Sequence, residues 1–284
     1  MNEEPIETLE PFSRSHHRDA KRRIRRSVRA IVPCLAVATL LGLWQLVCTL
    51  QLVPSFMLPS PMQVLDALLA DGELLAAHGA VTLAEALMGL AGGVALGFLI
   101  AVAMERFFLV DAALSPLITI SQTIPTVAVA PLLVLWFGYD MLPKVLLVVL
   151  TTFFPITVAL ASGFRSVDPD AIDLLRTMGM GRWRIFRYAK LPAAADSFFS
   201  GLLMAAAYAV VAAVVAEWLG GFEGLGVYMT RVRKSYDYDS LFAAVAIISG
   251  VSLLLMVIVK ALRYGCMPWK RRGSAVMTEE GKDA

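Results

Sequence analysis

The chain has 284 residues, of which 58% are hydrophobic and only 17% charged, with a mean hydropathy of +0.70. Soluble domains carry about 25% charged residues, so an ordinary water-soluble globular domain is excluded. The formal net charge of +2 excludes little, because in so apolar a chain the placement of charge matters more than its sum.

Residues 1–30 are polar and hold the basic run Lys21, Arg22, Arg23, Arg25, Arg26 and Arg29. The apolar stretch that follows, 31–53, is too long for a signal-peptide core, and no small-x-small cleavage site follows it. The expectation is an unstructured cytoplasmic tail ahead of an uncleaved first span. About 20 apolar residues cross roughly 30 Å of hydrocarbon, and six segments qualify: 31–53, 79–104, 110–137, 143–164, 197–219 and 240–263. The third contains Pro116, Pro125 and Pro131, and reads either as one kinked span or as a helix with a non-helical portion shielded by neighbours. With both termini inside, 21 of the 25 Lys and Arg lie inside, and four lie outside (Lys144, Arg231, Arg233, Lys234). The positive-inside rule favours that orientation. The membrane domain is expected over 31–264, with a cytoplasmic tail at 265–284. Trp136, Trp218 and Trp269 fall at span ends, where amphipathic rings anchor at the interface.

The second span spaces Gly89, Gly93, Gly97 and Ala101 by four residues, and the fifth spaces Gly201, Ala205, Ala209 and Ala213 the same way. Such stripes let helices approach closely in lipid, and packing is their expected role. Glu217 continues the second series. An acid at a span end needs pairing, hydration or neutralisation, so Glu217 reads either as part of a translocation path or as a solvated structural acid. Glu85 poses the same question. The third span adds Gln122, Thr123, Pro125 and Thr126, polar groups and prolines out of place against lipid; with Glu217 they form the expected path.

The connection between the fourth and fifth spans, 165–195, is no ordinary linker. Asp168-Pro169 reads as an N-cap with proline at the first helical position. Ile172, Leu175 and Met178 are expected to share one face, Asp170, Asp173 and Thr177 another, and Gly179 to stop the helix. A second short helix is expected to set Trp183, Phe186 and Ala189 against Arg182, Arg184 and Arg187, and to close at Leu191-Pro192. Two amphipathic helices joined by glycine suit a groove on a partner protein, and equally a surface of anionic lipid.

This loop resembles the signature of the binding-protein-dependent inner-membrane permeases, the type I ABC importer family: Glu-Ala-Ala, three residues, Gly, nine residues, Ile, one residue, Leu-Pro. Gly179 and Leu191-Pro192 match with the correct spacing. Asp173, Leu174 and Leu175 stand at the Glu-Ala-Ala positions and Ala189 at the isoleucine, so the acid is kept in type while the other three depart. Leu58-Pro-Ser-Pro61 with Gln63-Val64, Ile124-Pro-Thr126, Ala130-Pro-Leu132, Leu135-Trp-Phe-Gly138, Phe154-Pro155 and Gly224-Leu-Gly226 are similar to the sulfonate, taurine and nitrate branch. Glu85 departs from that branch, standing where many relatives carry arginine. The resemblance covers about residues 31–270. It implies an all-α fold of six transmembrane helices with both termini cytoplasmic, in the inner (plasma) membrane. It also implies a second permease copy, an ABC ATPase subunit and an extracytoplasmic substrate-binding protein as partners. The ATPase-coupling residues it implies are Asp173, Leu174, Leu175, Gly179, Trp183, Leu191 and Pro192. The run Glu217-Trp-Leu-Gly-Gly221, Gly224-Leu-Gly226 and Lys234-Ser-Tyr-Asp237 looks closest to permeases for pyrimidine precursors of thiamine or for riboflavin, with sulfonate, taurine or nitrate second.

No Gly-x4-Gly-Lys-Ser/Thr loop occurs, so ATP and Mg are expected in the partner subunit, with no cofactor on this chain. Cys34, Cys48 and Cys266 lack metal-ligand spacing, and His16, His17 and His78 build no cluster, so neither a metal site nor a catalytic residue is expected. No nucleic-acid partner is expected. The alternative class, an ATP-independent secondary transporter or channel, calls for ion-coupling carboxylates at mid-membrane and often inverted repeats, neither of which stands out.

Overall fold

A computed structural model describes residues 14–267 except 55, 56 and 122, with side chains described from residue 32. Among the described residues every regular element is helical. The chain divides into two units, residues 1–63 and 64–284.

In the first unit, α1 (Arg14–Thr49) carries the first apolar stretch, Val32–Thr49. It begins inside the segment expected to be an unstructured tail, so residues 14–30 are helical. Its Lys, Arg and Ala are good helix formers, and the apolar stretch simply extends backwards through them. Thr39 and Thr49 donate their hydroxyls to the carbonyls of Leu35 and Gln45 four residues back, so neither adds an unsatisfied donor to an apolar surface. Trp44 Nε1 donates to the Pro59 carbonyl at 3.0 Å and pins the chain that follows α1. The short helix α2 (Pro61–Ala70), not expected from sequence, opens with Ser60 and Gln63 bonding each other's backbone N–H, a capping box.

The second unit is built on three long helices: α3 (Gly72–Arg106), α6 (Met141–Arg165) and α9 (Leu191–Leu219). Between α3 and α6 run α4 (Phe108–Ser121) and α5 (Thr126–Phe137), whose axes differ by 99°. The third span is interrupted by a non-helical portion, as one of the two readings had it, but Thr123, Ile124 and Pro125 at the break are exposed in this chain and not shielded by its own helices. Pro125, extended at ψ 119°, supplies the corner and starts α5. Ala130 and Leu133 of α5 pack with Leu147 of α6 and Ala216 of α9. Beyond α9 come α10 (Leu225–Lys234), also unexpected, and α11 (Tyr238–Cys266). Trp136 and Trp218 are exposed, as interface anchors would be. Trp269 and the rest of the C-terminal tail from 268 lie outside the described residues.

The small-residue stripes do the packing expected of them. A β-carbon at Gly93 would fall 2.0 Å from Thr152 Oγ1, and one at Gly97 would fall 2.7 Å from the Phe153 carbonyl oxygen. Further along α6, a β-carbon at Gly201 of α9 would fall 2.7 Å from the Pro155 carbonyl oxygen. Replacing Gly93 by Ala is therefore expected to destabilise the protein by about 1–3 kcal/mol through overpacking. Gly250→Ala, on α11 with nothing within 4 Å of the added carbon, should be neutral or stabilising. Denaturant unfolding in mixed micelles compares the two.

Candidate functional site

The loop between α6 and α9 is ordered from end to end. Its first helix, α7 (Pro169–Thr177), is capped at both ends by the residues the sequence singled out. Asp168 accepts a hydrogen bond from the Asp170 N–H at 3.0 Å, and Pro169 occupies the first turn. At the far end Met180 N–H donates to the Leu175 carbonyl and Gly179 N–H to the Arg176 carbonyl, the paired bonds of a Schellman turn. Gly179 holds φ +82°, where a side chain is strained even though nothing lies within 4 Å of its missing β-carbon. Asp173 pairs with Arg176 at 2.8 Å on the exposed face.

The apolar face of α7 differs from its expected composition. Ile172 is buried and Leu175 half-buried, but Met178 is 72% exposed and Leu174 62% exposed. Met178 has already left the helix, at ψ 4°, so the helical period stops applying to it. The next element, α8 (Arg182–Ile185), does not close at Leu191-Pro192. A π-helical turn at Phe186–Lys190 carries it into α9, making one helix from Arg182 to Leu219. Leu191 N–H reaches back five residues to Phe186, and this wider turn accommodates the proline ring that would end an ordinary helix. The extra residue also shifts the register. Ile185 is buried, Phe186 and Ala189 are half-buried, and Trp183 is 71% exposed while stacking on Phe186 at 5.7 Å. Phe186 in turn meets Phe164 near the end of α6, and Lys190 pairs with Glu105 of α3. The loop is thus held to the bundle by one set of side chains, while Leu174, Met178 and Trp183 stay uncovered.

The second site lies among α3, α6, α9 and the turn before α10. Glu217 is buried, not solvated, with 1% of its surface exposed. It accepts from Thr82 Oγ1 at 2.7 Å and from the Gly226 N–H at 2.6 Å. Leu225 N–H donates to Thr82 Oγ1 at 2.8 Å, and Gly224 N–H to His78 Nδ1 at 3.0 Å. Helix α10 has no cap of its own, so side chains of α3 and α9 satisfy the free N–H groups of its first turn. The Glu217 carboxylate lies at the positive end of that helix. Glu85, also buried, accepts from Lys144 Nζ at 2.7 Å; Lys144 is only 4% exposed. Lys144, counted from sequence among the outside charges, is thus a buried partner of Glu85. Close by, Asp71 accepts from the Tyr228 hydroxyl and from Ser240, tying α3 to α10 and α11.

The sequence missed His78, Thr82 and Lys144. A signal for the last was present: Lys144 is the one Lys or Arg between Arg106 and Arg165, and Glu85 needed a partner. Of the expected path residues, Thr123, Pro125 and Thr126 sit together at the α4–α5 corner, where Thr123 Oγ1 donates to the Ile120 carbonyl at 2.8 Å. Gln122 lies outside the described residues. The hydrogen bonds of Glu217 go to Thr82 and Gly226, and none joins it to Thr123, Pro125 or Thr126.

Residues 93–265 match the family described as the binding-protein-dependent transport system inner membrane component. The chain belongs to that family. It is 40% identical over 80% of its length to a probable ABC transporter permease of Haemophilus influenzae, covering 93% of that protein. A formylaminopyrimidine transport permease of Halalkalibacterium halodurans is 36% identical, over 88% of this chain and all of the relative. A riboflavin transport system permease of Chloroflexus aurantiacus is 34% identical, over 81% of this chain and 87% of the relative. A solved amino acid ABC transporter shares the fold, with a TM-score of 0.56 at 19% identity, over 72% of this chain and 96% of the other. The protein is an ABC transporter permease, a multi-pass component of the inner membrane.

Removing Lys144 leaves the Glu85 carboxylate buried and unpaired. Lys144→Met is expected to destabilise the permease by about 3–5 kcal/mol, and the Glu85→Gln/Lys144→Met double variant to recover most of that. Unfolding in micelles measures both. Equal losses in the single and double variants would show that the ion pair is not the cause.

Proposed function

We propose that this permease imports an aromatic heterocycle, a pyrimidine precursor of thiamine or a riboflavin-like compound, handed over by an extracytoplasmic binding protein. The observation that carries the substrate class is the ranking of relatives. Those named for formylaminopyrimidine and riboflavin transport are 36% and 34% identical, whereas those named for taurine and sulfonates stand at 26–29%. Two copies of the chain form the pore, each resting on an ATPase subunit that carries the ATP and Mg; no ATP-binding motif is found in this sequence.

Coupling runs through the 166–192 loop, placed in the cytoplasm by the charge bias. Support comes from its build: a helix fixed at both caps, seated on the bundle through Ile172, Ile185 and Phe186, and presenting apolar Leu174, Met178 and Trp183 to a partner. A rigid helix with an uncovered apolar face fits a groove on another protein. Asp173 supplies a polar contact and Gly179 the turn, with Leu175, Leu191 and Pro192 holding the element in register. ATPase closure then shifts the spans as rigid bodies between two open states. Thr123, Pro125 and Thr126, with Gln122 beside them, border the path at the α4–α5 corner, and Glu217 holds the neighbouring α9 end.

A β-carbon at Gly179 would meet nothing within 4 Å in this chain, so Gly179→Leu acts here through the turn conformation. The substitution should cost about 1–2 kcal/mol at that turn and lower both uptake and binding-protein-stimulated ATPase about tenfold in proteoliposomes. Wild-type coupling in that variant would remove the loop from the mechanism. For the substrate, the reconstituted complex with its binding protein should accumulate labelled formylaminopyrimidine or riboflavin in preference to taurine. The reverse order would reassign it to the sulfonate branch.

A further inference from the structure

A cavity of about 690 Å³ opens between the C-terminal ends of α3 and α6 and the loop. Five cationic side chains line it, Arg106, Arg165, Arg176, Arg182 and Lys190, against two carboxylates, Glu105 and Asp111. Both carboxylates are engaged, Glu105 by Lys190 and Asp111 by Arg165, and Arg176 pairs with Asp173. Arg106 and Arg182 have no carboxylate partner among the described residues. The cavity therefore holds more positive charge than its own acids neutralise.

Its position in the fold narrows what can neutralise it. Arg106 and Arg165 are the last residues of two candidate spans, so the cavity lies where the apolar helix surfaces end. That is the depth of lipid phosphates. Phe108, which lines the cavity, and its neighbour Leu109 are 82% and 79% exposed, and lead from the cavity along α4, a helix apolar enough to lie in hydrocarbon. Trp183 and Phe186 close the other side. A soluble anion would have no use for an apolar rim at this depth, whereas a lipid presents a phosphate with acyl chains attached. Basic pockets between helices at the membrane surface take such headgroups, and guanidinium groups bind phosphate through paired N–H donors.

We propose that this cavity is a binding site for an anionic phospholipid, with Arg106 and Arg182 on the phosphate and the acyl chains leaving over Phe108 and Leu109. The site borders the apolar face assigned above to the ATPase, sharing Trp183 with it, but its phosphate ligands, Arg106 and Arg182, are not among the residues given to that partner. Its readout is lipid retention rather than coupled transport, so the two readings fail separately.

The test uses the permease with its ATPase, purified in detergent and titrated with phosphatidylglycerol or phosphatidylcholine, with bound lipids counted by native mass spectrometry. The wild type should retain phosphatidylglycerol about tenfold more tightly than phosphatidylcholine. R106Q/R182Q should lose that preference, while R187Q, a cation outside the cavity, keeps it. Size-exclusion profile and thermal midpoint establish that the double variant is folded; if it is not, R182Q alone, on the exposed face of α8, should still lower the preference. An undiminished preference in a folded variant would overturn the proposal. So would full competition by inorganic phosphate, which would make the ligand a soluble anion, or loss of the ATPase from R106Q/R182Q with lipid counts unchanged, which would make the cavity a protein-docking site.

Discussion

Hydrocarbon offers helices no gain from burying apolar surface against one another, so this fold depends on how closely three backbones can approach. Helix α6 lies in the middle. Val148, Thr152 and Ile156, at four-residue spacing, meet Gly89, Gly93 and Gly97 of α3, while Pro155 and Ala159 meet Gly201 of α9. The two threonines buried in α6, Thr152 and Thr157, return their hydroxyls to carbonyls four residues back in their own helix, so neither leaves a donor stranded. Dispersion between close-packed backbones and small side chains supplies what apolar burial supplies in water.

Close approach removes water from any polar group caught between the helices, and that constraint explains the cluster around Glu217. His78, Thr82 and Glu85 share one face of α3 and are all buried. Each has a named partner: a backbone N–H of the α10 turn, the Glu217 carboxylate together with a second such N–H, and the Lys144 ammonium. The bonds to His78 and Thr82 also complete the start of α10, which has no capping side chain of its own, whereas Glu85 keeps one buried oxygen, Oε2, without a hydrogen-bond partner among the described residues. An acid that composition alone marks as costly is here the cap of a helix and a tie between α9 and α10.

Local chemistry was legible in the sequence, and long-range pairing was not. Asp168-Pro169 and Gly179 each act within a few residues of themselves, and both ends of α7 fall where those residues put them. The small-residue stripes were readable for the same reason, since a four-residue spacing needs only one helix. Helix α10 was missed because its sequence, Leu-Gly-Val-Tyr-Met-Thr-Arg-Val-Arg-Lys, is short and half polar, and because two of its caps come from α3, over 140 positions away. Lys144 was counted among the outside charges, at the start of the 143–164 span, because its partner lies 59 residues earlier in the chain and no local pattern joins the two. Pro192 was taken for a stop because a proline normally is one, and only a turn of π geometry removes the conflict.

That turn has a mechanical consequence. With it, the loop and the polar cluster are the two ends of one helix, Arg182 to Leu219, 38 residues and roughly 57 Å long. A rod transmits displacement only if both ends are gripped. One end is held by Ile185 in the core, by Phe186 against Phe164, and by Lys190 on Glu105. The other is held by Glu217 through Thr82 and the start of α10. Had Pro192 ended the first helix, a flexible joint would separate the loop helix from the span. The π turn keeps the chain helical across the proline, so the loop and the far end of α9 belong to one continuous helix, which is what the coupling proposed above requires.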